Sequence, residues 1–288
     1  MTGAPWQPWH HPDVRNLAWV LSSPALLSRL PDSLHPVRIL DDRFWQPLFE
    51  AYRPRLDVLE RDPLPLTEFL AAHKNHRLGY YFEYLLLFWL QDEAFHPFRL
   101  IRHRATIMAG KITTGELDYL VHNTGSGQVE HWEVAVKFYL GHPPLAEAQR
   151  WIGPNSHDTL GAKLEHLARQ QFRFDDYEGQ IIEQRCLVMK GQLFYPQAWT
   201  GGTLDCLSAG HLQGQWLDWA AFRADHAFRK LHWRHAGRDE WLADQQAALQ
   251  LALAAPDALA HPPSERPELF IGFDDRDREV QRCFLTPP

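Results

Sequence analysis

Gly115-Glu116-Leu117-Asp118-Tyr119-Leu120-Val121, the break Asn123-Thr124-Gly125-Ser126-Gly127, and Trp132-Glu133-Val134-Ala135-Val136-Lys137-Phe138 decide how this chain is read. Successive side chains of a strand point to opposite faces. On the second segment Trp132, Val134, Val136 and Phe138 therefore share one face, and His131, Glu133, Ala135 and Lys137 the other. On the first, Leu117, Tyr119 and Val121 oppose Glu116, Asp118 and His122. The Asn- and Gly-rich break has the composition of a hairpin connection. The simplest reading is an antiparallel pair with one buried face.

If the hairpin sets Asp118 opposite Glu133, two carboxylates stand roughly 5 Å apart, a destabilising arrangement without positive charge between them. A divalent cation supplies that charge. Magnesium takes one or two carboxylates together with water and phosphate oxygens, and Lys137 on the same face could hold a phosphate or an attacking water. That is the description of a metal-dependent phosphodiesterase site. A solvent-facing hairpin that merely carries charges on its polar face fits the alternation equally well, and both readings stand at this point.

Working outward, 288 residues suffice for one large domain or two small ones. With 36 acidic against 29 basic residues the net charge is -7, which argues against a protein that coats nucleic acid through bulk charge. Local basic grooves remain open as DNA or RNA contacts. Arg99, Arg102, Arg104 and Lys111 precede the hairpin, and Arg229, Lys230, Arg234 and Arg238 are interleaved with Phe228 and Trp233. Cys186, Cys206 and Cys283 form no C-x-x-C pair and fit a reducing compartment, and Met1-Thr2-Gly3-Ala4-Pro5-Trp6 does not read as a signal peptide. The expected location is cytoplasmic. The apolar run Leu78 to Leu90 contains Glu83 and is too short to span a bilayer, so it reads as a buried helix.

Three stretches organise the chain: a Pro-punctuated helical extension over 1–70, a core over 71–200, and a Trp-rich mixed segment over 201–288. Within the extension, helices are expected at 14–21 and 43–59. The core reads as a helix at about 73–91, strands at 98–107, 115–122 and 129–140, a helix at 157–172 capped by Asn155 or Ser156, and a strand at 185–189. The last segment suggests a helix at 239–254 and strands at 268–273 and 280–285. No nucleotide-binding glycine loop, H-E-x-x-H or G-x-S-x-G occurs.

Helix, three-stranded meander, helix, strand, with Asp118 on the second strand and an acid followed by a lysine on the third, resembles the PD-(D/E)XK nuclease superfamily. Arg77-Leu78-Gly79-Tyr80-Tyr81-Phe82-Glu83, Gly115-Glu116-Leu117-Asp118, Trp132 to Leu140 and Gly153-Pro154-Asn155 are similar to a bacterial family of uncharacterised proteins assigned to it. The resemblance implies an α/β, restriction-endonuclease-like core, magnesium or manganese as cofactor, and hydrolysis of phosphodiester bonds. It also implies roles: Asp118 as metal ligand, Lys137 as the lysine of the third strand, Glu83 as the acid of the first helix. The usual pattern separates acid and lysine by one residue, and that position is Ala135 here. Glu133 shares its face but lies two residues, roughly 6.6 Å, further along the strand. A bulge that draws Glu133 back, completion of the metal shell by Glu116 or Glu83, or a degenerate site are the alternatives.

Glu83 is the only charge between Leu78 and Leu90, so it needs a metal or a cation such as Arg77 or Arg102. On the helix at 157–172, Lys163, His166 and Gln170 form a polar stripe opposite Leu160, Leu164 and Leu167, and Lys163 is a candidate for the site. Trp132 and Trp151 read as packing residues. The expectation is a metal-dependent nuclease using Asp118, Glu133, Lys137, Glu83, Lys163 and Glu116. The alternative is a catalytically silent nuclease-fold module that binds nucleic acid or a protein.

Overall fold

The computed structural model describes residues 3–34, 36–73, 75, 77–226, 228–244, 262–263, 265–276 and 278–287. In chain order the elements are α1 (Pro12–Ser22), β1 (Val37–Ile39), α2 (Asp42–Arg61), α3 (Leu64–Ala71), α4 (Leu78–Gln91), β2 (Phe98–Ala109), β3 (Ile112–Asn123), β4 (Gln128–Gly141), β5 (Trp151–Ile152), α5 (Leu160–His166), β6 (Asp176–Tyr177), β7 (Gln180–Ile181), β8 (Gln184–Pro196), β9 (Leu212–Asp218), α6 (Trp219–Ala224), β10 (His232–His235), β11 (Glu268–Phe273) and β12 (Glu279–Thr286). This is a mixed α/β chain with six α-helices among the described residues and a ten-stranded mixed sheet. Two compact units divide it: 1–136, 163–190 and 206–211 form the first, and 137–162, 191–205 and 212–288 the second.

In the first unit β2, β3 and β4 form an antiparallel meander, and β1 runs parallel to β8 through Val37 opposite Arg185. Asn123 Oδ1 accepts the amides of Gly125 and Ser126, and Gly127 takes φ +77, so the Gly-rich break closes the hairpin as its composition predicts. The expectation of a single buried face fails at β4. Glu130 through Ala135 are all buried, on both faces of the strand. One face carries Trp132, packed on Trp45 of α2 and Trp89 of α4 with ring centroids 6.2 and 6.5 Å away. The other carries His131 against Phe172, and Glu133 against Lys163 of α5 and Gln171 beyond it. Alternation identified the faces, but helices cover both, so polar residues on the second face lie inside.

α4 is built by an unbroken run of helix-compatible apolar residues whose Phe82, Leu85, Leu86, Trp89 and Leu90 are buried. Tyr80, Glu83 and Tyr84, at i, i+3 and i+4, occupy a half-buried face. The predicted helix start at 73 is too early, since α3 ends at Ala71 and α4 begins at Leu78. The helix predicted over 157–172 is shorter as well. Thr159 Oγ1, in place of Asn155 or Ser156, accepts the Ala162 amide, and α5 ends at His166 in a π-helical turn over Leu167–Gln171.

The second unit joins β10, β11, β12 and β9 in that order, with β12 parallel to β9 and β9 parallel to the second half of β8. Its core holds Leu217, Phe222, Phe228, Trp233, Phe270, Cys283 and Leu285. Phe228 and Trp233 are therefore packing residues rather than the exposed aromatic partners of a basic patch. Arg234 is paired with Glu240 at 2.7 Å. The strand pair expected at 268–273 and 280–285 is present as β11 and β12. Of the helix expected over 239–254, residues 238–240 form one 3-10 turn, and 245–254 lie outside the described residues. Among the described residues no helix is long and apolar enough to cross a membrane.

Candidate active site

Three carboxylates from three elements of the first unit act on one another: Glu83 of α4, Asp118 of β3 and Glu133 of β4. Strand register brings the last two together. The β3–β4 pairing ends at Tyr119 opposite Trp132, the residues that immediately follow Asp118 and precede Glu133. There the Val134 amide is bonded at 2.8 Å by Asp118 Oδ2, a side-chain oxygen standing in for a strand carbonyl. Tyr119 donates its hydroxyl to the Glu83 carbonyl at 2.6 Å and so ties α4 to the same point of β3.

Burial pushes all three acids toward the neutral form. Glu83 rises from 4.5 to about 7, through burial and then the neighbouring Asp118 charge. Asp118 rises from 3.8 to about 6 through burial, against the Val134 hydrogen bond that favours its anion. Glu133, whose side chain is 1% exposed, is driven well above the usual carboxylate range by burial and by Asp118. Its Oε2 is buried with no hydrogen-bond partner.

Two cations answer this charge. Lys163 Nζ of α5 lies 3.2 Å from Glu133 Oε1 and 2.9 Å from Gln171 Oε1, and the Gln171 amide donates to the same Glu133 oxygen. Gln171 reaches that position because of the π-helical turn. In a regular helix, at about 100° per residue, the seventh residue after Lys163 would share its face and the eighth would overshoot by about 80°. The extra residue per turn brings Gln171 round instead of Gln170, which is exposed, as is His166. Arg104 of β2 is the second cation, 3.3 Å from Glu83 and 2.7 Å from Glu116. It adopts φ 53, a left-handed conformation that costs a non-glycine residue roughly 1–2 kcal/mol. Sequence reasoning offered Arg77 or Arg102 as the partner of Glu83. Parity gives no warning of a left-handed residue inside a strand.

His131, two residues before Glu133 on the same face, was not singled out. It is fully buried, both ring nitrogens lack a hydrogen-bond partner, and Nε2 lies 3.9 Å from Glu133 Oε2. Burial, and then the charge of Arg185, lower its pKa to about 3, so it is a neutral imidazole. Lys137 falls in the second unit, where its ammonium is paired with Asp158 and Tyr139 donates to the same carboxylate. The lysine in contact with Glu133 is thus Lys163.

Among the described residues no group of three or more His, Cys, Asp or Glu side chains is spaced to hold a metal ion by itself. A hard cation needs less from the protein, one or two carboxylates with water and substrate oxygens completing its shell. Asp118 and Glu133, whose buried Oε2 has no hydrogen-bond partner, have the donor chemistry for that smaller share.

No curated protein and no solved structure matches the chain. One family model does, over residues 15–266. That span includes the meander, α4, α5 and every carboxylate and cation described above, and the chain belongs to the family described as Domain of unknown function (DUF1853).

Proposed function

We propose that this chain is a metal-dependent phosphodiesterase of PD-(D/E)XK type that acts on nucleic acid. The observation that carries the reading is the meeting of Glu83, Asp118 and Glu133, all raised above the ordinary carboxylate range, with Lys163 against Glu133. Buried acids with raised pKa values are poised for proton transfer or for a cation. The order α4, β2, β3, β4, α5, β8 supports a restriction-endonuclease-like core. Magnesium or manganese held at Asp118 and Glu133 would polarise a phosphoryl oxygen and acidify a bound water.

The protein's own share follows from its geometry. Lys163 offsets the negative charge that develops on the phosphoryl oxygens, and Gln171 holds both Lys163 and Glu133 in place. Glu83, at about 7, can accept a proton near neutrality while Arg104 fixes its orientation. The lysine role sits on α5, which accommodates Ala135 on the third strand.

A second reading has its own support. Lys163 and Gln171 already neutralise and hydrogen-bond Glu133 internally, as a silent nucleic-acid-binding module would require. Labelled oligonucleotides incubated with the full chain and manganese separate the two. A nuclease cleaves them, and Glu133→Gln and Lys163→Ala each reduce the rate by about 100-fold or more. Absence of cleavage together with absence of manganese binding by calorimetry sinks the nuclease and leaves the silent module.

A further inference from the structure

We propose that Tyr80 and Tyr84, with His73 and His103, form a stacking platform for unpaired nucleobases, so that the strand presented to the carboxylates is single-stranded; this rests on the phosphodiesterase reading. Tyr80, Glu83 and Tyr84 share one face of α4, while the helix buries Phe82, Leu85, Leu86, Trp89 and Leu90 in the core. The core therefore does not account for two half-buried tyrosines flanking a site acid.

Their rings form a row. Tyr80 and Tyr84 are stacked with centroids 6.2 Å apart, His73 lies 4.0 Å from Tyr84, and His103 lies 6.2 Å from Tyr84 at a steep angle. The row is anchored rather than loose. His73 Nδ1 contacts the Phe69 carbonyl at 2.7 Å, and His103 stacks on buried Tyr119 at 4.9 Å. Arg104 links the row to the site: its guanidinium lies 4.6 Å from the Tyr80 ring centre and bonds Glu83 and Glu116. Access is open at Gly79, which is exposed and where an added Cβ would meet nothing within 4 Å.

Bases stack on aromatic rings without regard to sequence, and Arg adds a cation–π contribution. In a duplex those base faces are already occupied by one another. The net charge of -7 also disfavours a substrate held through phosphates alone, whereas a stacking platform needs little bulk charge. Exposed Arg77, the residue that caps α4 three positions before Tyr80, is available to a phosphate beside the row.

Fluorescence anisotropy on the full chain in EDTA, so that nothing is cleaved, tests this with labelled oligothymidine, oligouridine, an abasic oligomer and a blunt duplex. Either base-bearing single strand should bind about tenfold or more tighter than the abasic oligomer and the duplex. Tyr84→Ala and Tyr80→Ala should each lose about tenfold on the single strand, and Tyr84→Phe should retain it. Equal binding of abasic and base-bearing oligomers, or tighter binding of the duplex, overturns the platform. Melting curves establish that each variant is folded, and Tyr80→Ala carries the test if Tyr84→Ala is not. Hydrolysis of bis(p-nitrophenyl) phosphate by the wild type with manganese reads the phosphodiesterase separately. Hydrolysis without single-strand preference overturns the platform alone; single-strand preference without hydrolysis upholds the platform and overturns the enzyme.

Discussion

Replacing Lys163 by methionine keeps most of the buried stem and removes the ammonium that lies 3.2 Å from Glu133 Oε1. Glu133 is 1% exposed and Lys163 13% exposed, so the pair is buried, and removing one partner of such a pair costs about 3–5 kcal/mol. Glu133 can escape part of that cost by taking up a proton, which its environment already favours. The loss therefore depends on pH. Toward lower pH that proton is taken up at less cost, and the loss shrinks toward that of one hydrogen bond, about 1 kcal/mol. At pH 8 the fold must either hold an unpaired anion or bind a proton against the solvent, and the loss approaches about 3 kcal/mol. With about 2–4 °C per kcal/mol for a chain of this size, the melting temperature falls by roughly 6–12 °C at pH 8 and by less at pH 5.5, toward a low-pH limit of roughly 2–4 °C. Melting followed by circular dichroism at both pH values measures this, and the double variant Lys163→Met/Glu133→Gln should recover most of the loss at pH 8. A loss that is equal at the two pH values, or absent at pH 8, refutes a buried Lys163–Glu133 pair.

The metal-free wild type should itself lose stability between about pH 5 and pH 7.5. Glu83 at about 7 and Asp118 at about 6 hold protons in the fold that the unfolded chain has released, so their contribution is present below the ordinary carboxylate range and lost as pH rises through the raised values. Manganese, which favours the anions, should raise the melting temperature more at pH 7.5 than at pH 5.5; a metal-free melting temperature flat across that range contradicts the raised acids. Gly191 of β8 has φ +141, and an added Cβ would run into the Lys137 carbonyl of β4, so Gly191→Ala should cost about 3 kcal/mol or more in denaturant unfolding. A loss under about 1 kcal/mol would show that the two backbones are not in close approach.

The meander was legible because Leu117, Tyr119 and Trp132 alternate cleanly with Glu116, Asp118 and Glu133, and a hairpin signal lies between them. Burial of the polar face was not. Nothing in a two-residue period tells whether charges meet solvent or a covering helix, so Glu133 read as equally at home in either place. Lys163 was visible from its stripe on α5, but Gln171 was displaced by one position through a π-helical turn that apolar spacing does not encode. Arg104, named only as part of a basic groove, escaped as the partner of Glu83 for a similar reason, since a left-handed residue in a strand changes direction without changing composition. The short β9, α6 and β10 gave no clear periodic signal and merged into a Trp-rich stretch whose aromatics turned out to build the core of the second unit.

The first unit draws its pieces from far along the chain, and this sets the order in which it can be made. Leu26 and Ser28 exchange backbone hydrogen bonds with Ser208 and Cys206, and the Ser28 hydroxyl reaches the Cys206 carbonyl across 178 residues. During synthesis α1 and the segment behind it leave the ribosome early, yet their partners emerge only after both halves of β8. Domains whose N-terminal part is complete can fold as they emerge. Here the segment around Leu26 and Ser28 lacks its strand partners until about residue 208, so a nascent chain stalled before that point carries an unfinished unit however long it is given to fold.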